Sequence, residues 1–193
     1  MRCPTIKELP PPSPGKSGWP WTEESLSLPE NERSHNRWPL ISVVTPSYNQ
    51  DKFLEETIRS VLLQGYPELE FIVMDGGSTD SSVDIIRRYE SWISHWVSEP
   101  DGGQAEAINR GWRRSTGEIL VWLNSDDVFS KDALIRVGDN FVENPNAMVV
   151  SGSCDIVNED RTLVLGRKTP HDFDPIPLLA NSGGVPGQPS VFL

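Results

Sequence analysis

Short apolar runs alternate with amphipathic segments from residue 40 onward, and this alternation constrains the fold more than any other feature of the sequence. The segments between the runs carry apolar residues at the three-to-four spacing of helices with one face against a core. The runs that predict strands are 40–44, 69–74, 95–98, 118–123 and 148–151. The segments that predict helices are 51–64, 81–89, 104–114 and 131–142. Strands that alternate with helices predict an α/β sandwich around a mostly parallel sheet.

Three local patterns refine this architecture. The run 118–123 is almost entirely apolar, which predicts a central strand. Residues 154–157 and 162–165 flank a polar turn and predict a hairpin. Residues 188–193 predict a further strand at the end of the sequence.

The first 39 residues have a different character. They hold 8 of the 17 prolines of the chain, and proline removes hydrogen-bond donors and fixes the backbone. We therefore expect an extended arm over residues 1–39 and a globular domain over residues 40–193. The arm contains Trp19, Trp21 and Trp38, which leaves two alternatives open. It lies against the domain or a partner through its indoles, or it is a disordered leader.

Composition excludes several classes of protein. The chain has 17 basic and 28 acidic residues, for a net charge of −11, so we expect no nucleic-acid partner. Two cysteines exclude a disulfide framework and a cysteine-built zinc site. Neither a transmembrane run nor a secretory leader is visible, which predicts a cytoplasmic protein. The glycine patterns of dinucleotide-binding and P-loop enzymes are also missing.

Polar residues follow four of the predicted strands. Ligands of parallel sheets bind beyond the carboxyl ends of the strands, so these residues are the candidates for a site. Several of them are acidic, and an acidic edge suits a divalent cation that in turn binds a diphosphate. The polar segments are 45–49, 75–80, 99–104 and 124–127.

These segments, in this order and spacing, resemble the family-2 glycosyltransferases with the GT-A fold. The resemblance covers about residues 40–193 and rests on residues 41–49, 75–80, 104–111, 116–118 and 122–127. It implies a three-layer α/β/α sandwich and a role in polysaccharide biosynthesis. It further implies that a UDP- or dTDP-sugar donor, bound with Mg²⁺ or Mn²⁺, transfers its sugar with inversion to a hydroxyl of a saccharide or lipid-linked acceptor. Lipid-linked acceptors would bring the protein to the inner face of the membrane as a peripheral protein.

The resemblance also implies roles for residues that follow the first two strands. Tyr48 would lie flat against the base, beside Pro46 and Ser47; alternatively it is a surface tyrosine in a turn. Asp75 would accept a hydrogen bond from the imide N–H of uracil or thymine; alternatively it closes an Asx turn. Many relatives carry a second acid at the next position, where this chain has glycine, so which of the pair reads the base stays open. The donor-binding residues expected in the second loop are Asp75, Gly76 and Ser78.

The third and fourth polar segments complete the expected site. By the same resemblance, Asp101, Gly103 and Gln104 border the nucleotide and the sugar, although Asp101 can also be the N-cap of the following helix. The fourth segment matches the metal-binding Asp-x-Asp of the family, with Asp126 as the metal ligand or, alternatively, a turn acid capping the next helix. The remaining donor contacts expected there are Asn124, Ser125 and Asp127.

The catalytic base cannot be assigned from the sequence. In the family it is a carboxylate beyond a further strand, and here the corresponding strand runs to Leu193. We therefore expect the base to lie beyond Leu193 and the domain to be truncated there. This leaves two alternatives to an active enzyme: a non-catalytic module that binds nucleotide sugars, and an interaction protein. Sugar transfer distinguishes an enzyme from a non-catalytic binding module. Metal-dependent nucleotide binding distinguishes both of these from an interaction protein.

Overall fold

A computed structural model of the chain describes residues 3–26, 37–169 and 191–193. Its centre is a sheet of four parallel strands in the order β3-β2-β1-β4. These strands are β1 (Ile41–Ser47), β2 (Leu69–Asp75), β3 (His95–Ser98) and β4 (Ile119–Trp122). The helices are α1 (Leu54–Leu62), α2 (Ser82–Tyr89), α3 (Gln104–Arg114) and α4 (Ala133–Glu143), with a short 3₁₀ helix at Glu90–Trp92. The predicted α/β architecture is confirmed.

Four shorter strands follow the central sheet. Strand β5 (Val150–Ser151) pairs antiparallel with β8 (Val191–Phe192). Strands β6 (Cys154–Val157) and β7 (Val164–Lys168) form the predicted hairpin. Within the described parts of the chain, no helix has both the length and the apolar character needed to span a bilayer.

The run 118–123, predicted to be a central strand, forms β4, which has backbone partners on both sides. Strand β4 is the last of the four parallel strands, and β1, which is buried along its whole length, lies between β2 and β4. On the outer side of β4, Leu120 and Leu193 exchange two backbone hydrogen bonds of 2.8 and 2.9 Å. An apolar run reports burial of the faces of a strand, whereas its lateral position depends on pairing with distant segments.

Helices cover both faces of the sheet. On one face α1, α2 and α4 enclose the main apolar core. On the other face α3 packs against β1 and β2, where Ala107, Ile72 and Met74 form a smaller cluster. Gly111 permits this close approach, because a Cβ at this position would lie 2.4 Å from Cγ1 of Val44. The sheet and its two helical coverings make three layers, which leave the carboxyl ends of the strands open to a ligand.

The N-terminal segment 3–26 lies against the main core. Leu9, Trp21 and Trp38 are all buried, and the Trp19 indole N–H donates a 2.8 Å hydrogen bond to the carbonyl of Phe129. Of the two alternatives for the arm, the described residues thus show the indoles in contact with the domain. The division at residue 40 stays a prediction.

A buried arginine joins this segment to α1. Arg59 has no exposed surface, and its guanidinium donates to the carbonyls of Pro10, Pro20 and Trp21 over 2.8–3.1 Å. It also donates to the hydroxyl of Tyr89 at 3.1 Å. The helix was expected to be amphipathic, with its polar residues in solvent, but Arg59 is buried because the N-terminal segment covers that side of α1.

Candidate functional site

The loops that follow β1 and β2 are bonded to each other. The backbone of Asn49 is left-handed, with φ 52°, and its N–H donates to Oγ of Ser78 at 2.8 Å. The Asn49 side-chain oxygen accepts from the N–H of Thr79 at 2.9 Å. Two residues further on, the N–H of Asp51 donates to a carboxylate oxygen of Asp80 at 3.0 Å. These bonds fix the first two loops as one unit, which we call the rim.

Asp75 lies beneath the rim and is fully committed to holding it. Its side chain is 2% exposed. One carboxylate oxygen accepts from the N–H groups of Gly77 and Ser78 at 3.2 and 2.9 Å and from the hydroxyl of Ser98 at 2.6 Å. The other oxygen accepts from the Ser78 hydroxyl at 2.5 Å. The expected Asx-type closure is therefore present, and recognition of a base by Asp75 stays a prediction.

The other residues expected in the first loop differ in exposure. Pro46 and Ser47 lie within β1 and are buried, and the Ser47 hydroxyl has no hydrogen-bond partner among the described residues. Tyr48, in contrast, is 61% exposed. An exposed ring at the carboxyl end of a central strand is available to stack on a flat ligand.

The third loop, after β3, packs onto the second. The N–H of Glu99 donates to the Asp75 carbonyl at 3.0 Å. The Asp101 carboxylate accepts from the Gly103 N–H at 2.7 Å, and it lies so close to Gly76 that a Cβ there would be 3.1 Å from Oδ2. Gly103, with φ 101°, directly precedes α3. Gly103, not Asp101, is therefore the N-cap residue, which corrects the alternative considered for Asp101.

The third and fourth loops are linked through Asn124. Its side-chain oxygen accepts from the amide of Gln104 at 2.7 Å, and its own amide donates to the carboxylate of Asp127 at 3.1 Å. Below this loop the Thr57 hydroxyl lies 2.8 Å from the carbonyls of both Ser125 and Asp127. Thr57 thus connects the fourth loop to α1. This role was not predictable, because Thr57 lies on the apolar face of the helix.

The two adjacent acids of the fourth loop have different environments. Burial and the neighbouring Asp126 raise the pKa of the Asp127 carboxyl, and this effect outweighs the hydrogen bond from Asn124. Asp126 is exposed, and no described residue donates a hydrogen bond to its carboxylate. It does not cap α4, whose N-cap residue is Asp132.

The residues of the fourth loop could hold a divalent cation only together with oxygens of a ligand. The described parts of the chain contain no group of three His, Cys, Asp or Glu side chains that can hold an ion. Mg²⁺ commonly binds through one or two carboxylates together with the phosphates of a substrate. The exposed carboxylate of Asp126 suits such shared coordination, whereas the side-chain oxygen of Asn124 already accepts from Gln104.

Asp126 and Asp127 also line a cavity of about 1050 Å³ that extends to α4 and the β6–β7 hairpin. Among the described residues of the loops after β1, β2 and β3, Phe53 alone lines it. Arg161, from the hairpin turn, reaches into this region and donates to the Asp126 carbonyl at 2.7 Å. Arg161 was not among the predicted site residues, because the turn carries no recognisable motif. Asp126 and Asp127 therefore belong both to the fourth loop and to the wall of the cavity.

The open parallel sheet, with its four connected loops, has the GT-A type of α/β fold. Residues 42–185 match the family model described as "Glycosyl transferase family 2", which is well over half of the chain. The chain belongs to glycosyl transferase family 2.

Individual relatives support this assignment. The chain is 38% identical to TuaG of Bacillus subtilis, whose name assigns it to teichuronic acid biosynthesis, over 59% of this chain and 46% of TuaG. The structure of residues 1–349 of Staphylococcus aureus TarS superposes with a TM-score of 0.56 at 25% identity, covering 68% of this chain and 38% of that TarS chain. The mannosyltransferase PcManGT of Pyrobaculum calidifontis, in complex with GDP-Man and Mn²⁺, gives a TM-score of 0.54 at 27% identity, over 64% and 37%. The chain thus spans less than half the length of these relatives.

Proposed function

We propose that this chain binds a nucleotide-diphosphate sugar, a UDP- or dTDP-sugar, across the rim and the fourth loop. The observation that carries the proposal is the continuous arrangement of the four loops. It holds an exposed ring, Tyr48, at one end and an exposed carboxylate, Asp126, at the other. Related proteins provide support, since TarS has been solved with UDP-GlcNAc and with UDP.

In this proposal each loop contacts one part of the donor. Tyr48 stacks on the base, while Gln104 and Asn124 hold hydroxyl groups of the ribose or sugar. Asp126 holds Mg²⁺ or Mn²⁺ together with the diphosphate, and Asp127 contacts the sugar. The bound cation would offset the charge of the diphosphate and so stabilise the leaving nucleotide.

We further propose transfer of the sugar by inverting single displacement to a hydroxyl of a saccharide or lipid-linked acceptor. The cavity beside Asp127 is the proposed acceptor side, because two acids of the fourth loop line it. A lipid-linked acceptor would place the protein at the cytoplasmic face of the membrane. No described residue is assigned as the base that takes the acceptor proton.

Calorimetric titration of UDP into the purified chain tests the donor site. We expect binding in the presence of Mn²⁺ that is lost when EDTA replaces the metal. A chain that is folded by circular dichroism but binds no UDP in either condition would overturn the proposal. Binding without transfer from any tested UDP- or dTDP-sugar would favour the alternative of a non-catalytic module that binds nucleotide sugars.

A further inference from the structure

We propose that Asp101 reads the base of the nucleotide, with its Oδ2 accepting the imide N–H of uracil or thymine. This inference rests on the proposed function, for which it names the residue that determines base specificity. It starts from the relation of Asp101 to Gly76 and Asp75, at the point where the second and third loops meet.

Asp75 has little capacity left for a ligand. Its carboxylate is buried and accepts from two N–H groups and two hydroxyls of the protein. Three donors already occupy Oδ2, and a base could reach the carboxylate only by displacing the protein groups that bury it. Leaving a buried donor without a partner is unfavourable.

Asp101 provides what Asp75 lacks. Its Oδ1 is fixed by the Gly103 N–H at 2.7 Å, while no described residue donates to its Oδ2. The side chain is only partly buried, so a ligand can reach the remaining oxygen. Asp101 is thus a positioned acceptor that the protein leaves unpaired.

Gly76 leaves room for this carboxylate. Its φ lies outside the left-handed region, so backbone conformation does not demand glycine there. A Cβ at Gly76 would instead lie 3.1 and 3.2 Å from the two oxygens of Asp101. The carboxylate of Asp101 therefore occupies the space that a side chain at residue 76 would fill.

An acceptor at this place selects among bases. Any base can stack on Tyr48, so discrimination between bases has to come from contacts with the polar edge of the base. A carboxylate is an acceptor only. Uracil and thymine present an N–H at N3, whereas cytosine presents an unprotonated nitrogen that Asp101 would repel. Sites built around such a hydrogen bond strongly reject analogues that lack it.

The test compares UDP and CDP binding by calorimetry, with Mn²⁺, to the wild-type chain and to Asp101→Asn. Asparagine can still accept from the Gly103 N–H, but it replaces Oδ2 by an amide that donates. We expect wild type to prefer UDP and Asp101→Asn to bind UDP about tenfold or more weakly while CDP binding is kept or improved. Asp84→Asn, an exposed acid on α2, is the matched control and should leave both affinities unchanged.

A swap variant protects the test against a loss caused by misfolding. Gly76→Asp combined with Asp101→Gly moves the carboxylate from the third loop to the second, and we expect it to restore a preference for UDP. An unchanged ratio of UDP to CDP affinity in Asp101→Asn overturns the inference and leaves the proposed function intact. A wild-type chain that binds neither nucleotide overturns the proposed function, and the inference with it.

Discussion

Two buried ions organise this molecule, and they differ in what surrounds them. Arg59 and Asp75 are both at most 2% exposed, and each makes four hydrogen bonds to protein groups. Near Arg59, the Tyr89 hydroxyl accepts from the guanidinium and donates to Glu55 at 2.8 Å. Near Asp75, in contrast, the Oδ2 of Asp101 has no donor among the described residues. Complete pairing marks a structural cluster, whereas positioned polar groups left unpaired mark a ligand surface.

Replacement of Arg59 should have the largest effect on folding. Arg59→Met keeps an apolar stem but leaves the carbonyls of Pro10, Pro20 and Trp21 without their donor. We expect the free energy of unfolding to fall by about 3 kcal/mol or more, because each carbonyl left without a donor costs about 1–3 kcal/mol. Urea denaturation measures this change. Arg87→Met, which removes an exposed ion pair, should cost less than about 0.5 kcal/mol; equal losses in the two variants would contradict the structural role of Arg59.

Replacement of Asp75 should have an intermediate effect on folding. Asp75→Asn turns one acceptor oxygen into a donor that faces the N–H groups and hydroxyls of Ser78 and its neighbours. We expect a loss of about 2 kcal/mol in the free energy of unfolding. Amide exchange should also become faster in residues 77 and 78, which hydrogen-exchange mass spectrometry can follow. Unchanged exchange there would show that Asp75 does not hold the rim.

Replacement of Asp126 should have the smallest effect on folding. Asp126→Ala removes an exposed carboxylate that no described residue bonds, so we expect the free energy of unfolding to change by less than about 0.5 kcal/mol. The same variant should lose Mn²⁺-dependent binding of UDP in the calorimeter. Retained metal-dependent affinity for UDP would remove Asp126 from the proposed metal site. A large loss of stability would mean that Asp126 has a structural role instead.

Local patterns predicted the elements of this fold well. The helix Gln104–Arg114 and the strand His95–Ser98 have the predicted bounds, because periodicity and nearby glycines determine them within a few residues. The outer partner of β4, Leu193, was not predictable, because it lies far along the chain. Pairing over such separations leaves no trace in a short window of sequence.

The candidate site also has features that local sequence patterns predict and features that they do not. The order of the strands' polar segments was enough to predict the four loops that hydrogen bonds connect in the structure. The contact of Asp101 with Gly76 was not predictable, because it depends on how two loops from neighbouring strands pack. The burial of Arg59 had no local signal either, since arginine on a helix is ordinarily solvent-exposed.

The N-terminal segment also separates two meanings of the word domain. A domain defined by similarity to other proteins begins at residue 42, where the family match starts. A domain defined by its packed core begins earlier, because Leu9 and Trp38 belong to the same apolar core as β1 and α1. A version of the chain that began at residue 40 would keep the whole recurring module and lose part of its core. The segment shared with the family and the segment that packs as one core therefore begin at different residues of this molecule.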